Sequence, residues 1–577
     1  MTSSKEEYYN LGTYRRPIKT TSPATQAWFN RGLIWTYAFN HEEAAKCFQE
    51  AISHDPNCAL AHWGLAYTLG PNYNKPWQFF DEAELAETIR RTHEAAREAG
   101  RLVSDADANA AGDDVDVERA IIDAVQFRYP ENHPPSPGTV EEEEEGESEA
   151  ERCSAWNKGY ADAMQKAYTR FPNDLDVAAL YADSLMNLNP WALWNIRTGQ
   201  PAPGARTLEI KAILERALDL PGGLQHPGLL HLYIHLMEMS GTPEKALVIA
   251  DHLRGLVPDA GHLNHMPTHL DILCGDYRRA ISSNSEAIRS DERFVAQAGP
   301  VNFYTLYRAH NYHFRIYAAM FAGQSRVALE TAAELEKQIP EELLRVTSPP
   351  MADWLEGFLA MRVHVLVRFG KWDELINLEV PKDQDIYAVT TAMIHYGKGV
   401  ALAAMGRINE AEEEQTLFET SYNKVPTTRM LFNNTCTDIL AIASSMLAGE
   451  LAYRGGDFEE AFTHLRHAIT LDDTLPYDEP WGWMQPTRHA YGALLLEQGR
   501  VEEAAAVYKA DLGLDGTLPR PLQHPGNVWA LHGLYECLVR LGRKGEAGIV
   551  GGLLKFAVAG ADVEVRSSCF CRRGCSK

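Results

Sequence analysis

The sequence predicts an all-α protein, an α-solenoid of stacked helical hairpins. Alanine, leucine and glutamate are plentiful, while the strict alternation of half-buried strands is scarce. At 577 residues the chain is far longer than one compact core supports, which calls for several domains or an elongated array. One spacing also recurs: Gly399/Gly406/Ala411, Gly449/Gly456/Ala461 and Gly492/Gly499/Ala504 each keep steps of seven and then five residues. In each set the first glycine lets two helices touch, the second sits at the turn, and the alanine packs the second helix on the first.

Residues 1–24 read as an N-terminal extension. Hairpins begin in 25–129, where Trp28, Gly32, Ala44, Phe48, Ala51 and Pro56 mark two antiparallel helices with small residues at their crossing and a proline at the end. A further helix over 59–69 breaks at Gly70-Pro71. Residues 130–153 read as a disordered acidic insertion, because a proline-rich run is followed by Glu141 to Glu145 and little there is apolar. Helices resume over 156–171 and 174–188, and Asn189-Pro190-Trp191 interrupts them. The section 154–345 is rich in histidine, with Pro243 and Pro267 placed to start helices and Pro258 and Pro340 to end them. Section 346–558 carries the three glycine–alanine sets and a closing pair over 527–541 and 544–558. A tail at 559–577 contains Cys569, Cys571 and Cys575.

Nine histidines lie between His226 and His313, and seven of them form three groups: His231/His235, His262/His265/His269 and His310/His313. Steps of three, four or seven residues put side chains on one helix face. His231, His235 and Glu238 thus share a stripe on a helix over 226–240 with Pro227 in its first turn. Pro267 reads as a helix start, which leaves His262 and His265 in the preceding loop. Imidazole is the commonest metal ligand, and convergent imidazoles from separate segments are what neighbouring helices offer when they close on an ion. The competing reading is that each histidine is a packing residue whose ring N–H finds a carbonyl. His41 sits where the first hairpin turns; Asn40 has the chemistry of the helix cap, which frees His41 to point inward as a ligand or an acid/base group. Farther on, Glu479, Trp481, Arg488 and Asn527 suit a planar or carboxylate-bearing substrate.

The pattern from Trp28 to Pro56 resembles a tetratricopeptide repeat (TPR). The chain also resembles a group of large, histidine-rich TPR proteins found in bacteria and fungi. The residues that carry this likeness are Phe39-Asn40-His41-Glu42-Glu43-Ala44, Gly70-Pro71-Asn72-Tyr73-Asn74, His231 with His235, His262-Leu263-Asn264-His265-Met266-Pro267-Thr268-His269, His310-Asn311-Tyr312-His313-Phe314 and Pro476-Tyr477-Asp478-Glu479-Pro480-Trp481. The resemblance implies a common site and supplies no reaction.

A net charge of -25 argues against a nucleic-acid groove. No apolar stretch approaches a membrane span, and the polar N-terminus lacks the apolar segment of a signal peptide, so a cytoplasmic location is expected. There is no phosphate-binding Walker loop, dinucleotide fingerprint, Gly-x-Ser-x-Gly elbow or His-Glu-x-x-His. The expectation is a metal-dependent enzyme, oxidative rather than hydrolytic, acting on a small organic molecule. Its ligands would come from His231, His235, His262, His265, His269, His310 and His313, with His41 and Glu238 in catalytic roles. Copper, iron and zinc are not distinguished by spacing. The alternative is a non-catalytic TPR scaffold that binds a protein or peptide in its groove.

Overall fold

A computed structural model describes residues 8–108, 116–134 and 148–572. The acidic run Glu141 to Glu145 and Cys575 lie outside the described residues. The chain is mostly helical; its strands amount to two short antiparallel ribbons, Trp194–Asn195 with Gln200–Pro201 and Met430–Leu431 with Asn434–Thr435, among the described residues. It divides into two compact units, one of residues 1–240 and 245–267, the other of residues 241–244 and 268–577.

In the first unit, helix Pro23–Tyr37 starts at the Ser22 cap and turns back into His41–His54, which is capped by Asn40. Ala59–Leu69 then packs on the second of these helices. Phe48 is the fully buried wedge of this trio. A Cβ on Gly32 would meet its ring at 2.9 Å, and one on Gly64 at 2.3 Å, so the two flanking helices approach closely only because both positions lack a side chain. Gly64→Ala is therefore expected to cost about 1–3 kcal/mol through overpacking. Denaturant unfolding should show a lowered midpoint with an unchanged slope.

The helix after the proposed insertion begins earlier than the sequence suggests. It spans Glu149–Arg170, with Ser148 and Glu151 forming a capping box and Cys153 buried. Residues 149–153 are thus helix, capped by Ser148, and not acidic linker. Its neighbour Leu175–Met186 is capped by Asp174 and buries almost its whole length.

In the second unit, the glycine–alanine sets map onto the hairpins Ala388–Met405/Ile408–Tyr422, Cys436–Gly455/Phe458–Thr474 and Thr487–Glu497/Val501–Asp511. Gly406, Gly456 and Gly499 hold φ of +82°, +89° and +75° at the turns. A Cβ at Gly399 would meet Leu447 at 2.8 Å, at Gly449 Leu465 at 3.0 Å, and at Gly492 Tyr508 at 2.6 Å. The tail is docked as far as it is described. Cys569 and Cys571 are joined, Ser568 Oγ donates to the His489 carbonyl at 2.8 Å, and Arg572 pairs with Glu536 at 2.7 Å.

Candidate metal centre

The site is built on helix Pro227–Glu238, every residue of which is buried. His226 caps it, its Nδ1 accepting from the Leu229 N–H at 3.1 Å, and Pro227 occupies the first turn, where a missing N–H costs nothing. His231 and His235, one turn apart, share a face, with ring centroids 4.8 Å apart. The one-turn helix Gly261–His265 supplies His262, whose ring lies 4.9 Å from His231 and 6.4 Å from His235. His262 and His265 therefore sit on a short helix of their own, not in the loop expected before Pro267. The backbone stays helical through Met266, and a new helix starts at Pro267.

One ring nitrogen from each of His231, His235 and His262 lies within 4.8 Å of the others. Three nitrogens at bonding distance from one transition-metal ion stand roughly 3.4 Å apart. Small side-chain rotations cover the difference, and the three rings could hold one ion.

The orientation of two of these rings is fixed from behind. The His231 Nδ1–H donates to the Tyr37 carbonyl at 2.6 Å. Tyr37 ends its helix, so this carbonyl is one of the terminal acceptors that the helix leaves unused. The His235 Nδ1–H donates to Glu238 Oε1 at 2.9 Å. A ring that donates from Nδ1 carries its lone pair on Nε2, and such pairing to a carbonyl or carboxylate is what orients metal-binding histidines and raises their basicity. Glu238 thus stands behind His235. It does not join His231 and His235 as a third ligand, because the i, i+3 step carries its carboxylate onto the ring of its own neighbour.

A family model for the tetratricopeptide repeat matches residues 25–58. The chain carries a tetratricopeptide repeat. No curated protein matches the chain. Among solved structures, yeast Tom70 is similar at 12% identity over 92% of this chain and 99% of that one, with a TM-score of 0.28. A human IFIT1 dimer with m7Gppp-AAAA is similar at 11% identity over 94% of this chain and 91% of that one, with a TM-score of 0.32. Likenesses at this level lend nothing to the reading of the site.

The turn of the TPR hairpin places two residues near the three histidines. Phe39 stacks on His235 and His262, with interplanar angles of 16° and 25°, and lies 4.5 Å from His231. Tyr73 and Trp191 also lie against His235, with ring centroids at 5.1 and 5.7 Å. His41 is engaged elsewhere: its Nδ1 meets the Thr68 carbonyl at 2.9 Å, another helix-terminal acceptor. Burial pushes its pKa down to about 3 against that hydrogen bond, so the ring is neutral. His41 is thus a helix-end partner and not one of the three converging rings. His265 lies beside His262, with centroids 5.8 Å apart and planes nearly parallel.

His269, His310 and His313 belong to the second unit. There His269 Nδ1 meets Glu479 Oε2 at 2.5 Å, and its ring is 5.6 Å from that of His310. Burial lifts the Glu479 carboxyl well above the usual range, against a hydrogen bond from Tyr477. His313 Nε2 lies 2.9 Å from Met484 Sδ, and burial, helped by His364, lowers its pKa to about 3. Phe432 lies against both His310 and His313.

The other expected substrate contacts are spent on the fold. Arg488 forms a bidentate pair with Asp473, both bonds 2.6 Å long. Trp481 Nε1 donates to Asp472, and Asn527 caps helix Val528–Arg540 while donating to Asp511. These groups hold loops to helix ends, and the carboxylates they hold are 9 to 16 residues away in sequence. The residues that sequence reasoning missed are Phe39 and Trp191 as ring walls, and Phe432, Met484 and His364 in the second unit. Phe39 and Trp191 did stand in motifs noted for their histidine or proline neighbours, but Phe432 gave no signal.

Proposed function

We propose that the first unit holds one transition-metal ion on His231, His235 and His262, and that the protein acts on a small organic molecule at that ion. The observation that carries this reading is the convergence of three ring nitrogens within 4.8 Å, with His231 and His235 each tied back through Nδ1. An all-nitrogen set suits copper or zinc; a two-histidine, one-carboxylate set would suit iron, but Glu238 is engaged behind His235. Oxidation requires the redox-active ion of the two, which is copper. The rings of Phe39, Tyr73 and Trp191 support a water-poor pocket of the kind redox chemistry on an organic substrate favours.

Protein purified without an affinity tag should contain about one equivalent of metal per chain by elemental analysis. Stripping it with a chelator should lower the melting temperature, and restoring the ion should reverse the loss. At free metal about a thousandfold above Kd the ligand contributes about 4 kcal/mol. Metal far below one equivalent, with a melting temperature indifferent to chelator, would remove the proposal.

The second reading is a TPR scaffold for a protein partner, favoured by the repeat at 25–58. It is supported if a metal-free protein recovers a stoichiometric partner.

A further inference from the structure

Among the described residues, eight turns that join two successive helices close with the same pair of backbone hydrogen bonds. The N–H of the turn residue returns to the carbonyl three positions back, and the next N–H returns to the carbonyl five positions before it. The turns at Gly275, Gly323, Gly370, Gly406, Gly456, Gly499 and Gly542 all follow this pattern, as does the turn at Phe39, where Phe39 N–H donates to Thr36 and Asn40 N–H to Trp35, both at 3.1 Å. The conformation is left-handed: the seven glycines have φ between +61° and +89°. Glycine adopts this at no steric cost, which is why it ends helices in this way. Phe39 adopts it too, with φ +55°. For a bulky residue that is strain, and strain of this kind persists only where the surroundings enforce it, most often at functional sites.

What the strain secures is visible in the ring's neighbours. Phe39 is 6% exposed, and its ring touches all three candidate ligands, lying almost flat on His235 and His262. A residue that merely filled the core would need neither a left-handed backbone nor three imidazoles for company. Among the described residues the other non-glycine positions with positive φ are Trp191 and Phe432. Trp191 stands edge-on to His235 in the same unit. Phe432, in the second unit, lies 4.5 Å from His310 and is stacked on His313. All three are aromatic, and each is set against histidine.

We propose that Phe39 is a positioning residue of the metal centre: its ring, held by the strained turn, fixes the planes of His231, His235 and His262 so that their nitrogens converge on one ion. This rests on the metal reading above. A helix-ending glycine would close the turn with less strain but remove the flat face that packs on all three rings, leaving His231 and His235 held only by their bonds to the Tyr37 carbonyl and Glu238.

The test uses the full chain, stripped of metal and titrated with cobalt(II) in competition with a chelator, for the wild type, Phe39→Gly and Phe39→Tyr. Far-UV circular dichroism checks the fold of each. Phe39→Gly is expected to bind cobalt on the order of tenfold more weakly, with altered visible d–d bands. Phe39→Tyr keeps the ring and should retain the wild-type spectrum. If the glycine variant does not fold, Phe39→Leu replaces it, since leucine keeps apolar volume without a flat face, and the same spectral change is expected. Wild-type protein that binds cobalt, with glycine or leucine variants that match it in affinity and spectrum, would overturn the role of Phe39 and leave the metal site standing. Wild-type protein that takes up no cobalt would overturn the metal site itself.

Discussion

Replacing both His231 and His235 by alanine is expected to abolish metal binding, from about one equivalent per chain to none, while far-UV circular dichroism remains helical. Each ring supplies one of three converging nitrogens, and a site left with His262 alone has no chelate. Stability should fall as well, because both rings are buried and each substitution removes a hydrogen-bonded ring from the core. The Tyr37 carbonyl and the Glu238 carboxylate would lose the donors they now hold. A buried acceptor left without its donor costs about 1–3 kcal/mol. Elemental analysis and thermal melting of the double variant read the two effects separately. Metal content that stays at the wild-type level would place the ion elsewhere.

The second large effect is expected at Asp176, which ties together three segments of the first unit. It is 4% exposed and accepts from Arg16 at 2.6 Å, Tyr37 at 2.6 Å, Tyr14 at 2.8 Å and His226 at 3.2 Å. Asp176→Ala leaves several buried donors without their acceptor and should cost about 3–5 kcal/mol. For a unit of this size the melting temperature would drop on the order of 10 °C. The site would feel the loss, since Tyr37 supplies the helix-end carbonyl that meets His231 and His226 is the cap of the helix that carries it.

The pH dependence of this cluster follows from its charge. Burial would raise the Asp176 carboxyl, but the charge of Arg16 and the hydrogen bonds from His226 and Tyr37 outweigh it, so the folded protein holds the carboxyl well below the usual range. A carboxylate depressed on folding contributes stability that is fully present above its unfolded value of about 3.9 and is lost as pH falls toward the folded value. Acid unfolding of wild-type protein should therefore steepen below about pH 4, and Asp176→Asn should flatten that part of the curve.

Much of the helical architecture was legible because it rests on short-range signals. The seven-then-five spacing needs only glycine at a left-handed turn and alanine at a crossing, and Gly406, Gly456 and Gly499 behave that way. The Pro227 helix and the shared face of His231 and His235 follow from proline geometry and helical period. What sequence could not yield depends on partners far apart in the chain. Arg488 looked like a substrate anchor because its ion pair with Asp473 crosses 15 residues of loop and helix. Glu238 read as a catalytic member of the site because spacing puts it on the stripe of His231 and His235, but spacing says nothing about which side of a ring it reaches. The ordered start at Glu149 was hidden by the neighbouring acidic run, although the Ser148-x-x-Glu151 capping signal was present. Phe39 was hidden more deeply, since no residue type announces a left-handed phenylalanine.

The central claim is that three imidazoles of the first unit hold one ion, and X-ray absorption at the metal edge of untagged protein tests it most directly. The spectrum should show nitrogen neighbours at about 2.0–2.1 Å. It should also carry the outer-shell scattering of three imidazole rings, and both features should vanish in the His231→Ala/His235→Ala protein. A metal signal without imidazole scattering, or one that survives the double substitution unchanged, would contradict the account.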